Sequence, residues 1–354
     1  MFKFHIMKKV FLFFASFFLL VVTLAQIPQN YYSAADGKQQ SELKLTLHQI
    51  ITKGYVQRTY NNLWTDFYTT DMRSDGKVWD IYSNCNFTFG VDQDRGENAP
   101  KECVKYNREH SVPNNWFGGE VYPMYSDLFH MYPTDKYVNA QRSDYPYGET
   151  TSATAKYGNG SKKGNGTPES GYKQVVFEPA DDYKGDLART YFYMVTRYLY
   201  TDFTNKLGAV TFTYNKTTCD LTNYAINLFL KWHRNDPVSQ KEIDRNNAIY
   251  GIQNNRNPFI DYPQLAEHIW GNLKDSPFQQ GTSVTPIIPT PIKITKCNGI
   301  FIEGAEPNAK IEIYSETGQF IYSTTLNNDY ISLEHLRSGV YIIKINDYSE
   351  KIIW

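Results

Sequence analysis

The chain has 354 residues, of which 41% are hydrophobic, 16% aromatic and 21% charged, enough apolar material for a core and too little charge for a solvated random chain. Its length suits one large or two modest domains, and a mean hydropathy of −0.53 excludes a polytopic membrane protein. With 36 Lys and Arg against 37 Asp and Glu the formal charge is −1, which argues against a protein that stays on nucleic acid through a basic surplus.

The N-terminus carries Lys3, Lys8 and Lys9 and no acid, followed by an apolar run over 10–24 interrupted by Ser16 and Thr23. Thr23-Leu24-Ala25 places small residues where a signal peptidase needs them, so residues 1–25 read as a secretory signal peptide. The apolar run is shorter than the roughly 20 residues a helix needs to cross a bilayer, and no basic stop-transfer flank follows, so no stable membrane insertion is expected. Removing the signal takes three lysines and leaves a charge of −4, and export permits disulfides. Of Cys85, Cys103, Cys219 and Cys297, the first two are close enough in sequence to staple one loop. The absence of a CxxC pair leaves no zinc-ribbon reading.

Residues 26–279 form the next segment. Ser41 is a candidate N-cap, and Leu43, Leu47, Ile50 and Ile51 make one apolar stripe of a helix. Asp75-Gly76 turns the chain into an alternating run at 78–82, a predicted strand. Further helices are predicted over about 186–199, 222–233 and 237–254, the last with Pro237 in its first turn and Glu242 near the positive end of the dipole. Between them, 157–171 is a polar Gly-rich stretch that lacks the Gly-Lys-Ser/Thr ending of a phosphate-binding P-loop and reads as a surface loop. Residues 280–292, rich in Pro, Ser and Thr, form a linker. After it come short β-rich runs at 300–302, 310–314, 319–324, 330–333, 340–345 and 351–354, the pattern of a small β-sandwich.

Among the histidines, none makes an H-E-x-x-H zinc pair. His110 differs in company: Arg108-Glu109-His110-Ser111-Val112-Pro113 sets a base, an acid and an imidazole side by side. Successive residues of a strand point to opposite faces. For Glu109 and His110 to serve one site the strand must end or bend there, so that one residue holds a metal while the other reaches the substrate.

Two resemblances follow from these residues. The run 338–345, Ser-Gly-Val-Tyr-Ile-Ile-Lys-Ile, preceded by 311–319 and followed by a Lys-containing terminal strand, resembles the C-terminal sorting domain of type IX secretion cargo over 293–354. It implies the type IX secretion machinery as a partner and a protein secreted through the periplasm to the extracellular space or the cell surface. The Arg108–Pro113 motif resembles the core motif of the bacterial endonuclease I family of secreted nonspecific nucleases. The likeness continues through Asp127-Leu128-Phe129-His130, through Val138-Asn139-Ala140-Gln141-Arg142 and through Lys184-Gly185-Asp186-Leu187-Ala188-Arg189. It reaches Trp232-His233-Arg234-Asn235-Asp236-Pro237 and closes with Asn257-Pro258-Phe259-Ile260-Asp261, over about 40–271.

This family resemblance implies an α+β protein: a mostly helical nuclease domain around a ββα-metal finger, followed by the small all-β sandwich. His110 is implied as the general base, and Glu109 and Asn139 as the holders of one divalent cation, Mg²⁺, with Mn²⁺ or Ca²⁺ as alternatives. Arg142, one helical turn beyond Asn139, either braces the phosphate as part of the catalytic set or makes a salt bridge that orients the helix. His130 stands where many relatives carry an amide, so it either orients Glu109 or His110 or joins the metal; Arg108 supports the site from outside. The implied substrate is DNA, with RNA left open, cut without sequence preference to 5′-phosphate and 3′-hydroxyl ends by a monomer. Arg108, Arg142, Lys162, Lys163, Arg189 and Arg256 are candidates for a local positive patch, and the 257–261 block is expected to lock the last helices over the finger. Two alternatives stay open: a metal-dependent hydrolase of another extracellular phosphoester, and a non-catalytic surface-binding protein on the same fold.

Overall fold

The computed structural model describes residues 27–280, 293–296, 300–303, 309–326, 330–331, 336–345 and 348–353. The signal peptide, Cys297 and the linker from 281 lie outside them. The architecture is α+β. Among the described residues no helix is long and apolar enough to cross a membrane.

Helix α1 (Gln40–Thr52) buries Leu43, Leu47 and Ile51 of the predicted stripe and leaves Ile50 partly buried. Its N-cap is Gln39 rather than Ser41, so Ser41 lies inside the first turn. After α2 (Leu63–Thr70), the run 78–82 departs from the predicted strand. Isolated bridges join Met72 to Val78 and Lys77 to Thr88. Beyond them the Asp80 carboxylate accepts from the backbone N–H of Tyr82 at 2.8 Å and from the Ser83 hydroxyl, a local turn that takes this backbone out of any ladder.

Strand β1 (Tyr106–His110) pairs antiparallel with β2 (Met131–Asp135), placing Glu109 opposite Tyr132 and His110 opposite Met131. Helix α3 (Lys136–Arg142) follows β2 without a loop because Asp135 caps it, accepting from Tyr137 N–H at 2.8 Å and Val138 N–H at 3.0 Å. The same carboxylate accepts from Cys103 N–H at 2.7 Å. Cys103 is disulfide-bonded to Cys85, so the staple holds the start of α3. Cys219 is free and buried.

Strands β3 (Ser152–Lys156), β4 (Lys162–Asn165) and β5 (Val175–Glu178) form an antiparallel sheet in that order, with β4 inside the stretch that composition marks as a loop. Helix α4 (Lys184–Arg197) is buried at nearly every position and is the centre of the domain, with α1 and α6 (Asn223–Asn235) against it. Before α6 come the short α5 (Gly208–Thr211) and the hairpin of β6 (Phe212–Tyr214) and β7 (Cys219–Leu221). Helix α7 (Gln240–Gln253) starts after Pro237, not on it, because Ser239 and Glu242 form a capping box. The short helices α8 (Pro258–Asp261) and α9 (Leu265–Ile269) complete the domain.

In the C-terminal module, β8 (Lys293–Lys296), β9 (Ile300–Glu303) and β12 (Tyr330–Ile331) form one sheet. Strands β10 (Lys310–Ser315), β11 (Phe320–Thr325), β13 (Val340–Ile345) and β14 (Tyr348–Ile353) form a second, in the order β11-β10-β13-β14. Inward residues of both, among them Ile302, Ile311, Ile313, Ile343 and Ile345, share one apolar cluster. Strand β8 has no counterpart among the predicted runs.

Candidate active site

Strand β1 ends at His110, and its pleat sends the neighbouring Glu109 and His110 to opposite faces. Asn107 and Glu109 face α3, and Arg108 and His110 face the aromatic rings on the other side. Glu109 is 3% exposed, and its Oε1 accepts from Arg142 Nη1 at 2.9 Å and from the Tyr82 hydroxyl at 2.8 Å. The Tyr82 hydroxyl also meets that of Tyr147. Burial pushes the Glu109 carboxyl up to about 7, against the pull of the Arg142 charge.

Arg142 is 1% exposed and closes the strand end onto the helix. Besides Glu109, it donates from Nη1 to the His110 carbonyl at 2.9 Å and from Nη2 to the Ser111 carbonyl at 2.5 Å. Its guanidinium stands 4.8 Å from the centre of the Tyr147 ring, and Tyr191 donates to the same Ser111 carbonyl at 2.8 Å. Three residues earlier on α3, the partly buried Asn139 donates from Nδ2 to Asn107 Oδ1 at 2.9 Å. Glu109, Asn139 and Asn107 are an all-oxygen donor set on one face, which suits a hard divalent cation. Among the described residues, the cluster of three metal-type ligands, Cys85, Cys103 and Asp135, has both sulfurs in the disulfide and is not such a site.

The partly buried His110 ring stacks on Tyr125 at 4.9 Å and on Tyr60 at 5.7 Å, and its Nε2 lies 3.0 Å from the Tyr125 carbonyl. A carbonyl only accepts, so Nε2 carries the hydrogen and the neutral ring keeps the lone pair on Nδ1. Burial and the neighbouring His130 hold the imidazole well below its ordinary pKa. His130 is fully buried, with Nε2 2.6 Å from the Met124 carbonyl and its ring 5.5 Å from that of His110. Of its two expected neighbours, the structure brings it to His110. Arg108 lies 3.5 Å above the Tyr60 ring and 4.3 Å from the Trp64 ring, with Nη1 donating to the Tyr60 carbonyl at 2.7 Å.

The patch expected from sequence is corrected at three positions. Arg142, Arg189 and Arg256 are 1%, 0% and 1% exposed. Arg189 forks onto Glu242 and Arg256 onto Asp261, so neither presents its charge to solvent. A sequence displays charges but not the carboxylates that the fold brings to them. Lys162 is 3.1 Å from Glu178, and Lys163 donates to Gln141 Oε1 at 3.0 Å. In the 257–261 block, Asn257 caps α8 and donates to the Arg189 carbonyl at 3.1 Å, while Asp261 accepts from Arg256, Asn246 and Tyr32, tying the last helices to α4. Sequence reasoning missed Tyr60, Tyr82, Tyr125, Tyr147 and Tyr191; the signal it had was the count of 29 tyrosines, far above ordinary usage.

Residues 39–264 match the model of the family described as Endonuclease I, and residues 289–353 match that of the secretion system C-terminal sorting domain. The chain is 33% identical over 255 residues to the extracellular ribonuclease of Bacillus subtilis (strain 168), covering 68% of this chain and 78% of that protein. It is 32% identical over 256 residues to the extracellular ribonuclease of Bacillus amyloliquefaciens, covering 71% and 81%. It is also 27% identical over 135 residues to Endonuclease-1 of Buchnera aphidicola subsp. Acyrthosiphon pisum, covering 38% of this chain and 44% of that one. The class thus defined is a secreted nuclease with its own export tail. The chain belongs to the Endonuclease I family, and its C-terminal module is a type IX sorting domain that directs it to the cell surface or beyond.

Proposed function

We propose that the protein is a nonspecific endonuclease that hydrolyses phosphodiester bonds of DNA and of RNA, with His110 as general base and one Mg²⁺ held by Glu109 and Asn139. The observation that carries this reading is the bond between His110 Nε2 and the Tyr125 carbonyl, 3.0 Å long. It fixes the tautomer that leaves Nδ1 free to take a proton from an attacking water. The stacking of Tyr125 and Tyr60 on the ring supports that orientation. The cation, when bound, offsets negative charge growing on the phosphate and on the leaving 3′-oxygen, and Mn²⁺ or Ca²⁺ suits the same oxygen donors. Glu109 is turned toward that face by Arg142 and Tyr82. Of the two readings of Arg142, its burial favours the helix-orienting salt bridge over a phosphate brace, so it acts as a positioning residue. His130 backs His110 from the buried side. The products carry 5′-phosphate and 3′-hydroxyl ends.

RNA joins DNA as substrate because the relatives matched over more than two thirds of this chain are named ribonucleases. The proposed units are the signal 1–25, the nuclease domain 26–279, the linker 280–292 and the sorting module 293–354. Digestion of plasmid and of ribosomal RNA with Mg²⁺, with EDTA and with His110→Ala tests the reading. Cleavage of both by the wild type, abolished by EDTA and reduced at least about 100-fold by the substitution, is expected. Folded wild-type protein that cuts neither nucleic acid overturns it.

A further inference from the structure

Seven arginines of the nuclease domain are paired with carboxylates: Arg58, Arg73, Arg142, Arg189, Arg234, Arg245 and Arg256. Arg95, Arg108 and Arg197 have no carboxylate within ion-pair distance among the described residues; Arg95 donates to the Gly90 carbonyl and Arg197 to the Thr52 hydroxyl, and of the three Arg108 is the one on β1, two residues from His110. Its guanidinium lies over Tyr60 and Trp64, and Nη1 is anchored on the Tyr60 carbonyl. Tyr60 is fixed in turn, its N–H donating to the Tyr122 hydroxyl at 3.3 Å and its ring stacked 4.3 Å from that of Tyr125. Arg108 is only partly buried. Arg108 and His110 are two apart on β1 and leave it on the same side.

An uncompensated, pre-oriented cation beside a general base is costly unless an anion arrives to meet it. We propose that Arg108 is the residue that clamps a substrate phosphate next to His110, a role the buried Arg142 cannot fill. The anion is a phosphodiester of the nucleic-acid backbone, gripped through Nε and Nη2 while the two rings keep the fork from turning. This assignment rests on the nuclease reading above. It places the phosphate contact on the aromatic side of β1, across the strand from Glu109 and Asn139, so the clamped phosphate is one flanking the scissile bond and not the one the cation meets.

The test uses the full mature chain carrying His110→Ala, so that substrate survives, and measures binding of a fluorescent single-stranded oligonucleotide across a salt series. Adding Arg108→Gln should weaken binding about tenfold and lower the salt slope by roughly one phosphate contact. Arg108→Lys, which keeps the charge but not the fork, should keep the slope. Replacing all the phosphates by neutral methylphosphonates should weaken binding and erase the difference between proteins with and without Arg108→Gln. If Arg108→Gln leaves affinity, slope and the effect of methylphosphonates unchanged while wild-type protein digests nucleic acid, the clamp alone is overturned. If wild-type protein digests neither DNA nor RNA, the function and the clamp fall together.

Discussion

Glu109 sits where several demands meet. Its carboxyl is buried, faces α3 and is kept company by one guanidinium and one phenol. Removing the guanidinium with Arg142→Ala leaves the carboxylate buried and the His110 and Ser111 carbonyls short of a donor. We expect a loss of roughly 3–5 kcal/mol in urea unfolding, and near-complete loss of cleavage even where the protein still folds. Tyr82→Phe removes a hydroxyl that touches both Glu109 and Tyr147, and should cost about 1–2 kcal/mol in the same assay and raise the Mg²⁺ concentration needed for half-maximal cleavage. Glu109 and His110 stand out in the sequence as a contiguous acid and imidazole inside a motif that resembles the family's. Tyr82 and Tyr147 do not, since each is one of 29 tyrosines and its task depends on a partner distant along the chain.

The β1–β2–α3 unit depends on how its helix begins. Asp135 ends β2, caps α3 and accepts from Cys103, so one side chain couples the strand pair, the helix and the disulfide. Asp135→Ala should destabilise the domain by about 1–2 kcal/mol, as loss of a helix cap does, and should lower cleavage by loosening Asn139. Replacing both Cys85 and Cys103 by Ser opens a loop of 18-residue separation, which should cost roughly 3 kcal/mol in a urea titration. Helices were the most legible elements: α4, α6 and α7 begin within three residues of the positions read from periodicity and capping. Strands were less so. The 78–82 run alternates like a strand but is diverted by Asp80, whose carboxylate takes the backbone N–H of Tyr82, and β4 hides in a Gly-rich stretch because its pairing with β3 and β5 is non-local. The cap at Ser239 was missed in favour of Pro237, although Ser239 and Glu242 carry the capping-box spacing.

Across the molecule, a net charge near zero conceals how the charges are spent. Most arginines of the nuclease domain neutralise carboxylates within it, so those charges do not add to a basic face. The same interior makes stability depend on pH. His233, 8% exposed, lies 3.3 Å from Arg189 and 3.0 Å from the Pro263 carbonyl, and burial beside that cation lowers its pKa from 6.5 to about 4. The unfolded chain therefore binds a proton that the folded chain refuses. Stability falls as pH drops from 6.5 toward 4, by roughly 3 kcal/mol from this group. Urea midpoints at pH 7.5, 5.5 and 4.5 should show a shallower acid slope in His233→Gln than in the wild type; equal slopes would remove His233 from the account.

In the proposed reaction His110 Nδ1 takes the proton of the attacking water. The most direct measurement of this step is the initial rate of plasmid nicking in Mg²⁺ by folded His110→Ala, with and without added imidazole. The expected rate is at least about 100-fold below wild type, with a partial recovery by imidazole that grows as its neutral form becomes more abundant. A His110→Ala protein that nicks at the wild-type rate, indifferent to imidazole, would contradict that role.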